Sequence, residues 1–280
     1  MKLIKELPYS LFHSWRLKQR PLEELLDPSK PVVPFVISLA SIEPRLGSLH
    51  LVIRSLLDQS CRPKKILIWL NVALKSKVPP AVHALCSDQV ELHFTPLNSP
   101  HKKLVGTLEL YPDEVVLTCD DDMMYHREWL SLFWKEHQKR PTDILAVRTV
   151  YLRYDQDQQP LPSAAWRKPA EGEVNPRAFL PIGQWGTLYP PKSLSPLYKE
   201  EELFMRLCPQ ADDLWFKTMA LLQGTHSLPT DQKPAEPIPI LGTQKVALKK
   251  TNVKQGGNTR QWRALSAHFD LPSLLFLPQD

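Results

Sequence analysis

Three adjacent carboxylates, Asp120, Asp121 and Asp122, follow directly on the apolar run Val115-Val116-Leu117. Such a run reads as a buried strand. Unpaired buried carboxylates are costly, so the strand must end at a cleft where positive charge is supplied. A hard divalent cation suits these donors. Mg²⁺ or Mn²⁺ prefers carboxylate oxygens, keeps several waters and shares its shell with substrate phosphates. The plain alternative is an exposed acidic turn that ends the strand and caps the next helix. A second acidic pair, Asp212-Asp213, precedes Trp215, Phe216, Met219 and Leu222 at helical spacing. Asp212 stands where a helix N-cap is expected, and Asp is favoured there. A neighbouring carboxylate turned into a cleft can instead accept a proton. Arg45, Lys102 and Lys103 are cations that could meet phosphate. Their bland readings are a surface ion pair and a solvated helix start.

The elements that must position these residues alternate. Val32 to Leu39 is a continuous apolar run, as in a buried parallel strand. The loop from Ala40 through Ser41 to Arg45 follows, and Pro44 suits the first turn of a helix. Leu46, Leu49, Val52, Ile53, Leu56 and Leu57 mark that helix, which Pro63 keeps from continuing. Further strands are predicted at Ile66–Leu70, Val90–Phe94 and Val115–Cys119. Helices are predicted at Pro79–Leu85 and around Leu104, Leu108 and Leu110. This alternation predicts a mostly parallel sheet with right-handed crossovers. Ligands of such sheets sit at the carboxyl ends of the strands, where Ser41, Arg45 and Asp120 to Asp122 fall. Beyond the triplet, Trp129, Leu132 and Phe133 predict a helix, and Ile144 to Val150 a strand. Tyr151 to Pro196 loses regular period and carries eight prolines. A loop region this long is usually functional or mobile. Within it, Gly183 to Tyr189 is expected to form a strand or hairpin exposing aromatic faces. Trp185 and Tyr189 could then offer stacking faces to a ligand or serve as core aromatics.

The chain has 280 residues, 42% hydrophobic and 23% charged, ordinary for a soluble globular protein. Pro is frequent, at 28 against 9 Gly, and no glycine-rich dinucleotide loop or Walker motif occurs. The net charge of +5 suits a phosphate-bearing ligand without demanding nucleic acid. Cys61, Cys86, Cys119 and Cys208 lie far apart, so neither zinc nor a disulfide framework is signalled. With no transmembrane run and no signal peptide evident, a cytoplasmic protein is expected. Residues 1–30 read as an appendage. Lys2, Lys5, Arg16, Lys18 and Arg20 alternate with Leu3, Ile4, Leu11, Phe12, Trp15 and Leu17. That composition fits a packing arm, or a basic amphipathic helix on the inner face of a membrane. The segment Lys245 to Arg263 is basic with no acidic residue. It could close over a diphosphate, and by default is a solvated face.

Taken together, the chain resembles GT-A-fold glycosyltransferases, close to the family 2-like enzymes of bacterial surface polysaccharide synthesis. The likeness covers roughly residues 31–225. It rests on Asp120-Asp121-Asp122, which resembles the DxD motif, and on the helix Leu46 to Gln59 after the uridine-contacting loop. Lys102-Lys103-Leu104 before the helix leading to that motif, and Ala211-Asp212-Asp213, placed like the acidic pair supplying the catalytic base, complete it. The acidic pair departs from the usual Glu-Asp.

The resemblance implies a Rossmann-like, mostly parallel sheet flanked by helices, in a single large domain with irregular acceptor-side loops. Residues 1–30 would be the arm, 31–125 the nucleotide-sugar-binding half, and 126–280 the acceptor half with the basic segment. It implies sugar transfer, inverting, from a nucleotide-sugar (a UDP-sugar foremost) to a glycan or lipid-linked acceptor. Asp120 and Asp122 would hold Mn²⁺ or Mg²⁺. Ser41, Arg45, Lys102, Lys103, Asp120 and Asp121 would contact the donor, and Asp212 and Asp213 would carry catalysis. Asp213 would be the base, kept ionised by the positive end of the helix dipole. The alternatives are a sugar nucleotidyltransferase, disfavoured because no Gly precedes Gly47 in the first loop, and a non-catalytic carbohydrate-binding scaffold.

Overall fold

The structure, a computed structural model, describes residues 2–169, 175–243 and 256–276. The chain opens with α1 (Lys2–Gln19) and α2 (Leu22–Leu25). It then alternates β1 (Val32–Ala40), α3 (Leu46–Leu57), β2 (Arg62–Asn71), α4 (Pro80–His83), β3 (Val90–Thr95), α5 (Lys102–Leu110) and β4 (Val115–Thr118). After β5 (Met123–Met124) come α6 (Trp129–Lys139), β6 (Ile144–Ala146), β7 (Thr149–Tyr151), β8 (Phe179–Pro181) and β9 (Thr187–Tyr189). The remainder holds α7 (Glu201–Leu207), α8 (Asp212–Gln223), β10 (Ser227–Pro229), β11 (Ile238–Pro239), α9 (Gly257–Phe269) and α10 (Leu271–Leu275).

Seven strands form one sheet in the order β10-β6-β9-β4-β1-β2-β3. All are parallel except β9, which runs antiparallel to β4 and β6. The expected α/β class with a mostly parallel sheet is therefore what the chain forms. Strands β1, β2 and β3 step outward in one direction; α5 then carries the chain back to place β4 on the other side of β1. The switch point, with its crevice at the carboxyl ends, lies between β1 and β4. Buried side chains divide into two main clusters. One holds Leu39, Leu49, Ile53, Leu117, Trp129 and Phe133 from β1, α3, β4 and α6. The other holds Leu104, Val116, Tyr189, Trp215, Phe216 and Trp262 from α5, β4, β9, α8 and α9. Alternate residues of β4, Val116 and Leu117, go to opposite clusters, as the period of two requires.

Three expectations change. The second strand begins at Arg62, not Ile66, and so includes Pro63, which pairs with Val33. The register slips between Val33 and Val36, around Pro34, whose missing N–H cannot serve the ladder. The strand expected over Ile144–Val150 is divided: β6 joins the main sheet, while β7 pairs with β8 alone. Lastly, the segment ending at Tyr189 is a central strand only over Thr187–Tyr189, with Trp185 half-buried in the turn before it. Tyr189 is buried against Phe216, ring centroids 6.0 Å apart. Gly186 makes this possible, with φ of 109° and no room for a Cβ, which would lie 2.8 Å from Trp129.

Residues 1–30 are not a detached arm. Leu17 and Leu25 are buried in the β1/α3 cluster. Asp58, at the end of α3, is buried and paired with Arg16 at 2.8 Å and Arg20 at 3.0 Å. Of the basic C-terminal segment, Lys245, Lys249, Lys250 and Lys254 lie outside the described residues, whereas Arg260 and Arg263 are on α9.

Candidate active site

The carboxyl ends of β1 and β4 open into a cavity of about 670 Å³. Ser41, Arg45, Lys102, Lys103, Asp120, Asp121, Asp122, Asp212 and Asp213 all line it. Ser41 follows β1, Asp120 follows β4, the lysines open α5, and the acidic pair opens α8. Residues separated by as much as 170 positions are thus gathered by strand order. The same wall takes in Arg148 from between β6 and β7, Trp166 and Gln184 from the proline-rich stretch, and Asn258 from α9.

Arg45 binds two of the three triplet carboxylates, with Nη1 on Asp121 and Nη2 2.9 Å from Asp122. Ser41 Oγ–H donates to the other Asp121 oxygen at 2.5 Å. Asp121 is therefore a buried anchor of the β1 loop, and burial pushes its carboxyl above the usual range despite Arg45. Asp120 is the more open member, its side chain 32% exposed. Lys102 is buried, its Nζ–H donating to the Ser41 carbonyl at 3.5 Å, and burial lowers its ammonium.

The second charge centre is Lys103. Its Nζ lies 3.0 Å from Asp212 and 3.6 Å from Asp120. Burial works against this ammonium, but the carboxylates of Asp212, Asp120 and Asp213 outweigh it and raise its affinity for the proton. Burial likewise opposes charge on Asp212, and Lys103 overcomes it, holding Asp212 below the usual carboxylate range. Asp213 differs. Burial, then the adjacent Asp212 charge, push its carboxyl up to about 8. It accepts the Gly183 N–H at 3.2 Å. The expectation that the helix dipole keeps Asp213 ionised is thus reversed: burial and a like charge outweigh a dipole worth at most about 2 kcal/mol. Asp212 is not a cap either. It is the first helical residue, Ala211 holds the N-cap position, and no side chain caps the end.

Several site residues carry no signal of their own in the sequence. Gly183 passes so close to Asp213 that an added Cβ would sit 3.1 Å from its Oδ1. Arg148 donates to Gln184 Oε1 at 2.6 Å and stands over the Trp185 ring. Trp185 itself packs on the β1/α3 cluster and gives its carbonyl to Trp129 Nε1–H at 2.8 Å. His101 is buried, stacked on Phe204 at 4.3 Å and hydrogen-bonded to Ser99 at 2.5 Å. Burial holds its ring at about 4, so it is neutral beside Asp212.

Among the described residues, no three His, Cys, Asp or Glu side chains are gathered to hold a metal ion by themselves. The protein offers Asp120 and Asp122, one open and one held by Arg45. These fit an ion whose remaining ligands are phosphate oxygens and water, the usual arrangement for Mg²⁺.

No protein-family model matches the chain, and no curated protein matches it. Solved structures similar to it include 4-diphosphocytidyl-2C-methyl-D-erythritol synthase from Anaerococcus prevotii. That match has 13% identity over 82% of this chain and 98% of that one, with a TM-score of 0.47. Residues 1–349 of S. aureus TarS match at 15% identity and a TM-score of 0.47. The same protein in complex with UDP matches at 14% and 0.46. Both cover 72% of this chain, which spans 59% of the TarS structures. The fold described above rests on its own strand pairing, not on these distant similarities.

Proposed function

We propose that the chain transfers a sugar from a nucleotide-sugar, a UDP-sugar foremost, to a hydroxyl of a glycan or lipid-linked acceptor. The observation that carries this reading is the convergence of two carboxylate sets, Asp120–Asp122 and Asp212–Asp213, on one cavity with Lys103 between them. Sugar transfer needs compensation of a diphosphate leaving group on one side and a proton acceptor on the other. Asp120 and Asp122 would hold a divalent ion, which when bound supplies neutralisation of the leaving charge. Arg45 and Lys102 add fixed positive charge at the β1 loop. Asp213, raised toward neutral pH and oriented by the Gly183 N–H, is the group suited to take the acceptor proton. Lys103 keeps Asp212 charged, and that charge adds to burial in raising its neighbour. In-line attack by the activated hydroxyl inverts the anomeric centre.

The test is thermal stabilisation by UDP, GDP, CDP and CMP, each with and without Mn²⁺. A metal-dependent shift with one nucleoside diphosphate is expected, and Asp122→Ala should abolish it while leaving the fold intact. If that variant binds the nucleotide with the same metal dependence, the metal role of Asp122 is wrong. Asp213→Asn should keep donor binding and lower transfer by roughly a hundredfold, the usual size of a general-base effect.

A further inference from the structure

One side of α1 is consumed by the fold. Ser10 Oγ–H donates to the Pro239 carbonyl at 2.7 Å, Leu17 is buried, and Arg16 reaches Asp58. The other side displays Leu7, Leu11, Phe12 and Trp15, at helical spacing, to solvent. Leu11, Phe12 and Trp15 are each more than half exposed, at 51%, 54% and 59%. Phe12 and Trp15 lie together, ring centroids 6.3 Å apart. Single exposed apolar residues are ordinary; a contiguous aromatic and leucine stripe on one helix is not.

The charge around this stripe is mostly positive. Lys18 lies exposed on the stripe side, one turn beyond Trp15. On the flank, His13 and Arg16 line a second cavity of about 640 Å³, with Arg127 and Lys135 from the α6 side. Glu128 is the acidic residue among its described lining. In sequence, residues 1–20 hold five Lys or Arg against the one acid Glu6.

We propose that the outer face of α1 docks on a bilayer surface rich in anionic headgroups. Leu11, Phe12 and Trp15 enter the headgroup boundary, and Lys18, with Arg127 and Lys135 on the flank, meets the lipid charge. An apolar stripe flanked by cations is the pattern of an interfacial helix. The same charge argues against a second copy as the occupant, because an isologous contact would set one positive flank against another. No described helix is long and apolar enough to cross a membrane, so the contact is peripheral. The docked helix stands close to the cavity. The Pro239 that Ser10 grips belongs to β11, which pairs with β5, and the next residue, Ile240, donates its N–H to the Asp122 carbonyl at 2.9 Å. The inference does not depend on sugar transfer.

Flotation of the full chain with vesicles of phosphatidylcholine, with and without added phosphatidylglycerol, tests it. Binding is expected with the anionic vesicles and should weaken as salt is raised. The triple substitution Leu11→Ser, Phe12→Ser, Trp15→Ser removes exposed side chains only. It should lower the partition by ~10-fold or more at unchanged melting temperature. Lys18→Glu should weaken binding to anionic vesicles alone. Failure of the native chain to float with anionic vesicles overturns the proposal, as does equal flotation of the triple variant. So does a Trp15-dependent dimer in sedimentation without vesicle binding. Nucleotide-induced stabilisation of the triple variant, measured in parallel, separates this outcome from any failure of the donor site.

Discussion

Lys103 Nζ sits 3.0 Å from Asp212 and 3.6 Å from Asp120, so one buried ammonium joins the two acidic groups of the cavity. Asp212 depends on it, because Arg45 is paired with Asp121 and Asp122 on the other side of the cavity. Lys103→Met should therefore leave Asp212 as a buried, unpaired charge. Breaking such a pair by removing one partner costs about 3–5 kcal/mol. Urea unfolding should show that loss in the single variant and a substantial recovery in Lys103→Met with Asp212→Asn. Equal stability of the native protein and Lys103→Met would show that Asp212 is solvated rather than buried.

Asp213 gives stability a distinctive pH dependence. Its ordinary value is 3.8 and its folded value about 8, so the folded protein keeps a proton that the unfolded chain releases. The sign follows: this group's contribution is fully present below 3.8, is lost as pH rises toward about 8, and changes no further above that. Asp212, shifted down, acts only below its ordinary range, in a separate window. Melting temperatures of Asp213→Asn and the native protein, compared from pH 4 to 9, should diverge upward through this interval in favour of the variant. Parallel curves would remove the raised carboxyl. If Asp213 is the base, transfer should also rise across the same interval.

The first four strands were legible from their apolar residues and their alternation with helical segments, β1 to α3 being the clearest case. The acidic triplet and the acidic pair stood out by charge alone. What was hidden is the place of β9, which lies antiparallel between β4 and β6. It is three residues long, and its place depends on Gly186 fitting under Trp129 and Phe133, a contact between distant segments. Gly183 and His101 were hidden for the same reason. Each matters through a neighbour that only the sheet order brings near, Asp213 in one case and Phe204 in the other. The state of Asp213 was misread because local reasoning sees the helix dipole and not the burial.

Arg45 holds one of the two carboxylates that a divalent ion would need. Its guanidinium compensates Asp122 at 2.9 Å. Mn²⁺ alone should thus bind weakly to the native protein, and Arg45→Gln should bind it more tightly because Asp121 and Asp122 lose their cation. Paramagnetic titration with Mn²⁺ reads this directly. A tightening of ~10-fold, or 1.4 kcal/mol, is a reasonable scale for one exchanged charge contact. Weaker Mn²⁺ binding in Arg45→Gln would mean that Arg45 orders the ligands rather than competing for them.

The N-terminal helix should prove necessary to the fold, against its appearance in the sequence as an appendage. Asp58 is buried at the end of α3, and its cations come from the N-terminal segment: Arg16 at 2.8 Å and Arg20 at 3.0 Å. Arg127 lies farther, 3.9 Å from the same carboxylate, and is half exposed. Arg16→Ala with Arg20→Ala leaves Asp58 to more distant cations, Arg127, Lys30 and Arg54, and should cost about 3 kcal/mol. Adding Asp58→Asn removes the stranded charge and should restore part of the loss. Deleting residues 1–30 goes further, since it also uncovers the sites of Leu17 and Leu25 in the core. Burial of two leucines is worth about 3–6 kcal/mol, so the truncated chain should unfold at clearly lower urea or not fold at all. A truncated chain with the native melting temperature would show that the helix rests on the sheet without supporting it. Its nucleotide binding would then report the donor site alone.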